Sequence, residues 1–260
     1  MTDVTQQHII AGIRSLGVGP GDLLLAHTSL KSFGRVEGGA KAVAEALIQS
    51  VAPGGTVLVP TFNYGMLPYD PATTESLTGA VTDALWRLPG AVRSGHPTHA
   101  FAGVGPLAPE LLEGHPDAHP LGRGSPLWRL WKRDAWVLLM GCDHRANSII
   151  HVAEESMNVP YLGRTRLARL LRGNQVAEVA VGRPGCSNGF NALDEPLRCA
   201  GYVRQTTVGR SRFMLMRACE IITVASRMLA SDPAALLCHL PDCERCTWAR
   251  ERILERTRSA

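Results

Sequence analysis

No stretch of this chain carries five like charges in a row, and no apolar run approaches the roughly 18 residues that a membrane helix needs. The first absence argues against a dedicated nucleic-acid binder, and the second against a membrane partner. The opening segment, MTDVTQQHIIAGIRSLGVGPGD, has no basic stretch leading into a long apolar one, so no export signal is expected and the cytoplasm is the expected compartment. Cysteines number seven, an odd count in a chain long enough to hold a core without staples. Reduced thiols are therefore expected rather than a disulfide framework. Internal repeats and low-complexity segments are also lacking.

The chain does have enough apolar material for one sizeable core. Its 260 residues are 45% hydrophobic, near the upper size at which a single core serves a whole chain. One domain spanning 1–260, with a cysteine-containing tail from about 232 to 260, is the expected organisation. Lys and Arg total 27 against 23 Asp and Glu, giving a formal charge of +4 and a pI near 8.8. That modest excess favours an anionic ligand only weakly.

Apolar spacing predicts a helix over 2–16, ending at Gly17 before the turn Gly19-Pro20-Gly21. The run Leu23 to Ala26 reads as a strand buried on both faces, 40–51 as a helix stopped by Pro53-Gly54-Gly55, and 56–62 as a second apolar strand. Strand, glycine-bearing loop, helix and strand make an α/β unit, and crossover handedness predicts a parallel pair. Residues 63–99 are polar and rich in Pro and Gly, which reads as a functional loop with one short helix over 80–88. Helices are expected over 106–113 and 125–133, a third buried strand over 135–141, and a strand pair across LARLLRGNQVAEVAV. The remainder reads as a helix over 214–230 and a basic helix over 247–256. The fold class is α/β, a central, mostly parallel or mixed sheet flanked by helices.

Four segments carry side chains suited to chemistry. NSIIHVAEE follows the third strand, where ligands gather in open α/β sheets. With Asn147 or Ser148 as N-cap, helical spacing puts Ser148, His151, Glu154 and Glu155 on one stripe. A carboxylate beside an imidazole fixes its tautomer and keeps it basic, as a general base requires. The same stripe is equally compatible with an ordinary solvated helix face. A di-metal site would need a matching second half, which is missing, and no G-x-S-x-G elbow surrounds Ser148.

HTSLKSFGRVEGGA leaves the first strand with hydroxyls, a lysine and glycines, ending at a helix N-terminus where backbone N–H groups suit phosphate oxygens. It is neither a Walker A nor a dinucleotide motif. RSGHPTHAFAGVG, with two histidines three apart around Pro97, reads as a pocket-lining loop rather than a metal knuckle. Cys238, Cys243 and Cys246, with His239 alongside, could supply four zinc ligands in principle, or could be reduced and partly buried thiols.

In order and spacing, HTSLKSFGRVEGGA, TVLVPTF, DPATTESLTG, RLPGAVRSGHPTHAFAGVG, SPLWRL and LLMG…NSIIHVAE resemble the blocks of the aminoglycoside N(3)-acetyltransferase family. The resemblance implies transfer of an acetyl group from acetyl-CoA to an amine, commonly the 3-amino group of a 2-deoxystreptamine antibiotic. It also implies a fold unlike the GCN5-type acetyltransferases, with a small-molecule amine and CoA as partners, a monomeric or homodimeric state, and no metal. His151 is similar to the family's catalytic histidine, Glu154 to its supporting carboxylate, and Ser148 stands where the family has Thr. His27, Thr28, Ser29, Leu30, Lys31, Ser32, Phe33 and Gly34, with Arg93, Ser94, His96 and Thr98, match blocks that surround the cofactor. Tyr64, Asp143, Asn147 and Glu155 are expected to contact the acceptor. One departure matters: the downstream region PGCSNGFNALDE offers its acids only at Asp194 and Glu195, so a different amino sugar or small amine stays open as acceptor. A Ser148/His151/Glu154 hydrolase and a binding module organised by the cysteine tail also remain open.

Overall fold

The structure is a computed structural model that describes residues 3–115, 117–173 and 175–259. Thr2, at the start of the expected first helix, and Asn174, in the turn of the expected strand pair, lie outside the described residues. The chain begins with α1 (Gln6–Ser15), β1 (Leu23–Thr28), α2 (Gly39–Val51), β2 (Thr56–Pro60) and α3 (Ala80–Trp86). β3 (Val92–Arg93), β4 (Phe101–Val104), α4 (Ala108–Leu112), α5 (Pro126–Lys132), β5 (Trp136–Met140) and α6 (Ile150–Ser156) follow. The last part comprises β6 (Thr165–Arg172), β7 (Gln175–Gly182), α7 (Asp194–Cys199), β8 (Arg204–Val208), β9 (Ser211–Arg217), α8 (Ala218–Ser231) and α9 (Glu244–Ser259).

Seven strands form a mixed sheet in the order β3-β4-β2-β1-β5-β9-β8. β1 is parallel to β2 and β5, which gives the expected parallel heart, and the outer pairs are antiparallel. β6 and β7 form a separate antiparallel hairpin.

Alternating side-chain direction along the buried strands divides the core in two. Leu24, Ala26, Val57, Val59, Leu138 and Met140 face one side, with apolar residues of α1, α2 and α3. Leu25, Leu58, Val137 and Leu139 face the other, with those of α4, α5, α6 and α8. Each fully buried aliphatic side chain contributes about 1.5–3 kcal/mol. His27 continues the parity of Leu25, so its imidazole emerges at the carboxyl end of β1 on the α6 side.

Two expectations need correction. Residues 214–217 are strand, not helix: Met214, Leu215 and Met216 are fully buried in β9, and an unbroken apolar run carries no period to separate the two. The 93–105 segment is not simply a loop, because β3 and β4 pair through Val92↔Gly103 and Arg93↔Ala102. The C-terminal α9 packs Cys246 and Ala249 into the same core as α6 and α8. No helix among the described residues is long and apolar enough to cross a membrane.

Candidate active site

Helix α6 has no solvated face at its centre. Ile150, Val152 and Ala153 are fully buried, and His151 and Glu154 are only 8% and 1% exposed. The surface-stripe alternative is thereby removed. A seven-residue helix is not stable alone, and burial of its apolar groups fixes it in place.

Glu154 Oε2 lies 2.6 Å from His151 Nδ1. An ionised carboxylate only accepts, so this contact puts the ring proton on Nδ1 and the lone pair on Nε2. The other oxygen, Oε1, accepts the Tyr161 hydroxyl at 3.1 Å. Burial, then the Glu154 charge, pushes the Tyr161 phenol up, which keeps it a donor. Gly185 backs the carboxylate so closely that a Cβ there would lie 3.1 Å from Oε1. Phe190 meets the His151 ring edge-on at 4.9 Å between centroids.

Neither Asn147 nor Ser148 caps α6. Ile149 stands at the cap position with no side-chain cap bond. Asn147 is fully buried and donates to His144 Nδ1 at 3.2 Å, while Ser148 Oγ lies 3.4 Å from His27 Nε2. The hydroxyl of Ser148 is thus paired with a different histidine from the one Glu154 supports.

His151 opens on a cavity of about 570 Å³ at the carboxyl ends of β1 and β2, whose walls include His27, Thr28, Tyr64, His99 and Ser148. A second cavity of about 350 Å³ shares His151 and reaches Glu154, Glu155 and His119. Burial pushes His27 down to about 3 and holds His99 well below the usual imidazole range, the latter helped by neighbouring histidines. Of the three imidazoles on the first cavity, His151 has the carboxylate partner. Arg145, Arg166, Arg183 and Arg245 also line this cavity, and among the described residues its wall contains no Asp or Glu. Burial lowers the Arg166 guanidinium, as do Arg183 and Arg245 beside it. An anion would relieve that repulsion.

The residues expected around the cofactor divide sharply. His27 and Thr28 line the cavity. Leu30 to Phe33 form a 3-10 turn in which Ser32 donates to Ser29 O at 2.7 Å and meets Ser211 Oγ at 2.7 Å. Gly141, at φ 68°, allows that contact, since a Cβ there would fall 1.7 Å from Ser32 Oγ. Phe33 is core, 5.6 Å edge-to-face from Phe213. Ser29, Leu30, Lys31 and Gly34 are absent from the cavity wall.

Arg93, Ser94 and His96 are bonded internally and do not stand among the residues of the cavity wall. Arg93 donates to Thr61 Oγ1 at 3.0 Å, to Thr61 O at 2.9 Å and to Thr74 O. Ser94 accepts from Phe101 N at 3.0 Å and bonds His115, whose other nitrogen donates to Pro120 O at 2.7 Å. His96 Nδ1 accepts from the backbone N–H groups of Thr98 and His99 at 3.2 and 3.1 Å. Thr98 in turn bonds His99 Nδ1 at 2.7 Å.

Of the expected acceptor contacts, Tyr64 lies on the first cavity and Glu155 on the second. Glu155 is paired with His119 at 2.7 Å. Asp143 is held by Arg145 at 2.8 Å and by Asn191 at 3.0 Å. His99 and the four arginines were not assigned roles from sequence. His99 lies in a segment singled out there, whereas the arginines come from four separate places in the chain and carry no local pattern.

Fold and site together define an acyltransferase built on a mixed α/β sheet. Residues 25–230 match the aminoglycoside 3-N-acetyltransferase family, and the chain belongs to it. Aminoglycoside N(3)-acetyltransferase IV from Salmonella sp is 34% identical over 239 residues, covering 90% of each chain. The crystal structure of a mutant of aminoglycoside acetyltransferase AAC(3)-IVa in complex with a gentamicin superposes with a TM-score of 0.87 at 33% identity, over 97% of this chain and 98% of that one. The solved structure of AAC-IIIb as a binary complex with CoASH shares the fold at a TM-score of 0.81 and 22% identity, over 88% and 97% of the two chains.

Proposed function

We propose that this protein transfers the acetyl group of acetyl-CoA to the 3-amino group of a 2-deoxystreptamine aminoglycoside, so inactivating the antibiotic, in the cytoplasm and as one catalytic domain. The observation that carries the reading is the buried Glu154–His151 pair at 2.6 Å, with the free ring nitrogen on a cavity.

An ammonium group has no lone pair with which to attack a carbonyl. His151 Nε2 takes one proton from the acceptor amine, directly or through water, and Glu154 stabilises the imidazolium across Nδ1. The amine then adds to the thioester carbonyl; as the tetrahedral intermediate collapses the C–S bond breaks, CoA leaves as the thiolate and takes up the proton held on His151, and the added nitrogen gives its surplus proton to water. The Ser148 hydroxyl is the donor proposed for the developing oxyanion, with His27 orienting it. The arginine-lined wall suits the phosphates of CoA.

The Ser148 hydrolase alternative loses support because the partner of Ser148 is His27, a ring that burial holds near pKa 3. Such a ring is a poor base at neutral pH. The test is a thiol-release assay with acetyl-CoA against a panel of aminoglycosides and simple amines. Turnover with aminoglycosides, lost in His151→Ala while CoA still binds, is expected. Turnover confined to simple amines would overturn the acceptor assignment, and equal loss of CoA binding in His151→Ala would overturn the role of the base.

A further inference from the structure

Four cysteines meet where the 183–188 loop touches the C-terminal tail. Cys186, Cys238, Cys243 and Cys246 place their sulfurs all within 4.8 Å of one another. Three of the four are buried and Cys243 is half-buried. The Cys186–Cys238, Cys186–Cys243 and Cys238–Cys246 sulfur separations are 4.0, 3.6 and 3.4 Å. Tetrahedral coordination at a Zn–S distance of about 2.3 Å puts ligand sulfurs about 3.8 Å apart. The observed spacings bracket that edge. All seven cysteines are free thiols, so no disulfide holds the four together.

The geometry points to a structural Zn²⁺ site closed by these four thiolates and distinct from the transfer chemistry. Sequence spacing supplied the tail cysteines but paired them with His239, which is exposed. The fourth ligand is instead Cys186, which tertiary folding brings in from the other side of α8. The surroundings suit a site carrying two net negative charges. The Cys238 N–H points at Cys246 Sγ at 3.3 Å and the Asn188 N–H at Cys186 Sγ at 3.4 Å. Arg250 donates to Cys238 O at 2.9 Å and to Cys246 O at 3.4 Å. Backbone N–H groups and a nearby cation are the outer partners that stabilise bound thiolates.

Position gives the site a purpose. Cys186 follows Gly185, the residue that backs the Glu154 carboxylate, and Pro184, Gly185 and Ser187 form part of the cavity wall. Clamping Cys186 to α9 fixes that wall from behind, so the metal acts on Glu154 by positioning and not by chemistry.

The test uses the full chain, prepared without a metal-chelating tag and with zinc supplied. Elemental analysis is expected to give one zinc per chain, and cobalt substitution to give sulfur-to-cobalt charge-transfer bands with the intense d–d bands of tetrahedral thiolate ligation. Cys243→Ser, at the least buried ligand, should weaken zinc retention at least tenfold and lower the melting temperature, while Cys199→Ser at an exposed position elsewhere should change neither. Metal-free protein after zinc supply, a cobalt spectrum without sulfur bands, or unchanged zinc retention in both Cys186→Ser and Cys243→Ser would overturn the proposal. If those variants do not fold, the wild-type cobalt spectrum decides. Aminoglycoside turnover is not among the readouts, so this test stands apart from that of the proposed function.

Discussion

Glu154 and His151 lie one turn apart on α6 and share a 2.6 Å contact, while Tyr161 holds the far oxygen of the same carboxylate. The pair is therefore oriented from both ends before any substrate arrives. Glu154→Gln keeps the shape but removes the charge and permits the wrong tautomer. A fall in kcat of about 10²–10⁴ is expected, with little change in KM for acetyl-CoA. Tyr161→Phe removes only the orienting bond and should cost far less in kcat, together with about 1–2 kcal/mol of stability. Steady-state kinetics of the two variants separate the roles, and equal kcat losses would sink this ranking.

Arg166, Arg183 and Arg245 on the first cavity repel a polycationic acceptor until the donor's phosphates neutralise them, whereas Arg145 is already paired with Asp143. Binding should therefore be ordered, CoA first. Titration calorimetry at low salt is expected to show the aminoglycoside binding about tenfold or more tightly to the CoA complex than to free protein. Equal affinity in both states would remove this electrostatic argument.

Arg93 looks like a cofactor contact in sequence and a structural clamp in the fold. Its guanidinium sits 5.2 Å from the Tyr69 ring centroid and 4.7 Å from that of Trp86, besides its bonds to Thr61 and Thr74. Arg93→Ala should lower stability by about 2–4 kcal/mol, as expected for losing charged hydrogen bonds at a partly buried site. KM for acetyl-CoA in the folded fraction should stay within about twofold. Denaturant melts and initial rates measured on one preparation check both halves.

His27 and His96 are buried, and desolvation pushes their pKa values to about 3 and about 4. Between those values and the unfolded value near 6.5, the unfolded chain binds protons that the folded chain refuses. Their stabilisation is fully present above about pH 6.5 and is lost as pH falls toward the folded values, by about 2 kcal/mol for each ring at pH 5. Urea midpoints should fall from pH 7 to pH 5, and His96→Asn, which keeps an acceptor near Nδ1, should flatten that slope. A slope identical to wild type would show that His96 does not carry its share.

The sequence by itself determined the parallel heart of the sheet and the address of the His151–Glu154 pair. Strands β1, β2 and β5 each contain a short apolar run with a glycine or proline close to one end, and His151 and Glu154 are linked by a local three-residue spacing that any α-helix satisfies. Patterns of that kind are written within a few residues, so they can be read without a fold. Only the tertiary structure decided that α6 is buried on every side of that pair, that Ser148 belongs to His27, that Arg93 faces inward, and that Cys186 completes the cysteine group of the tail. Each of those facts is a meeting of residues distant in sequence. Such meetings are set by how helices and strands pack, and nothing in local composition records which distant side chain will fill a given gap.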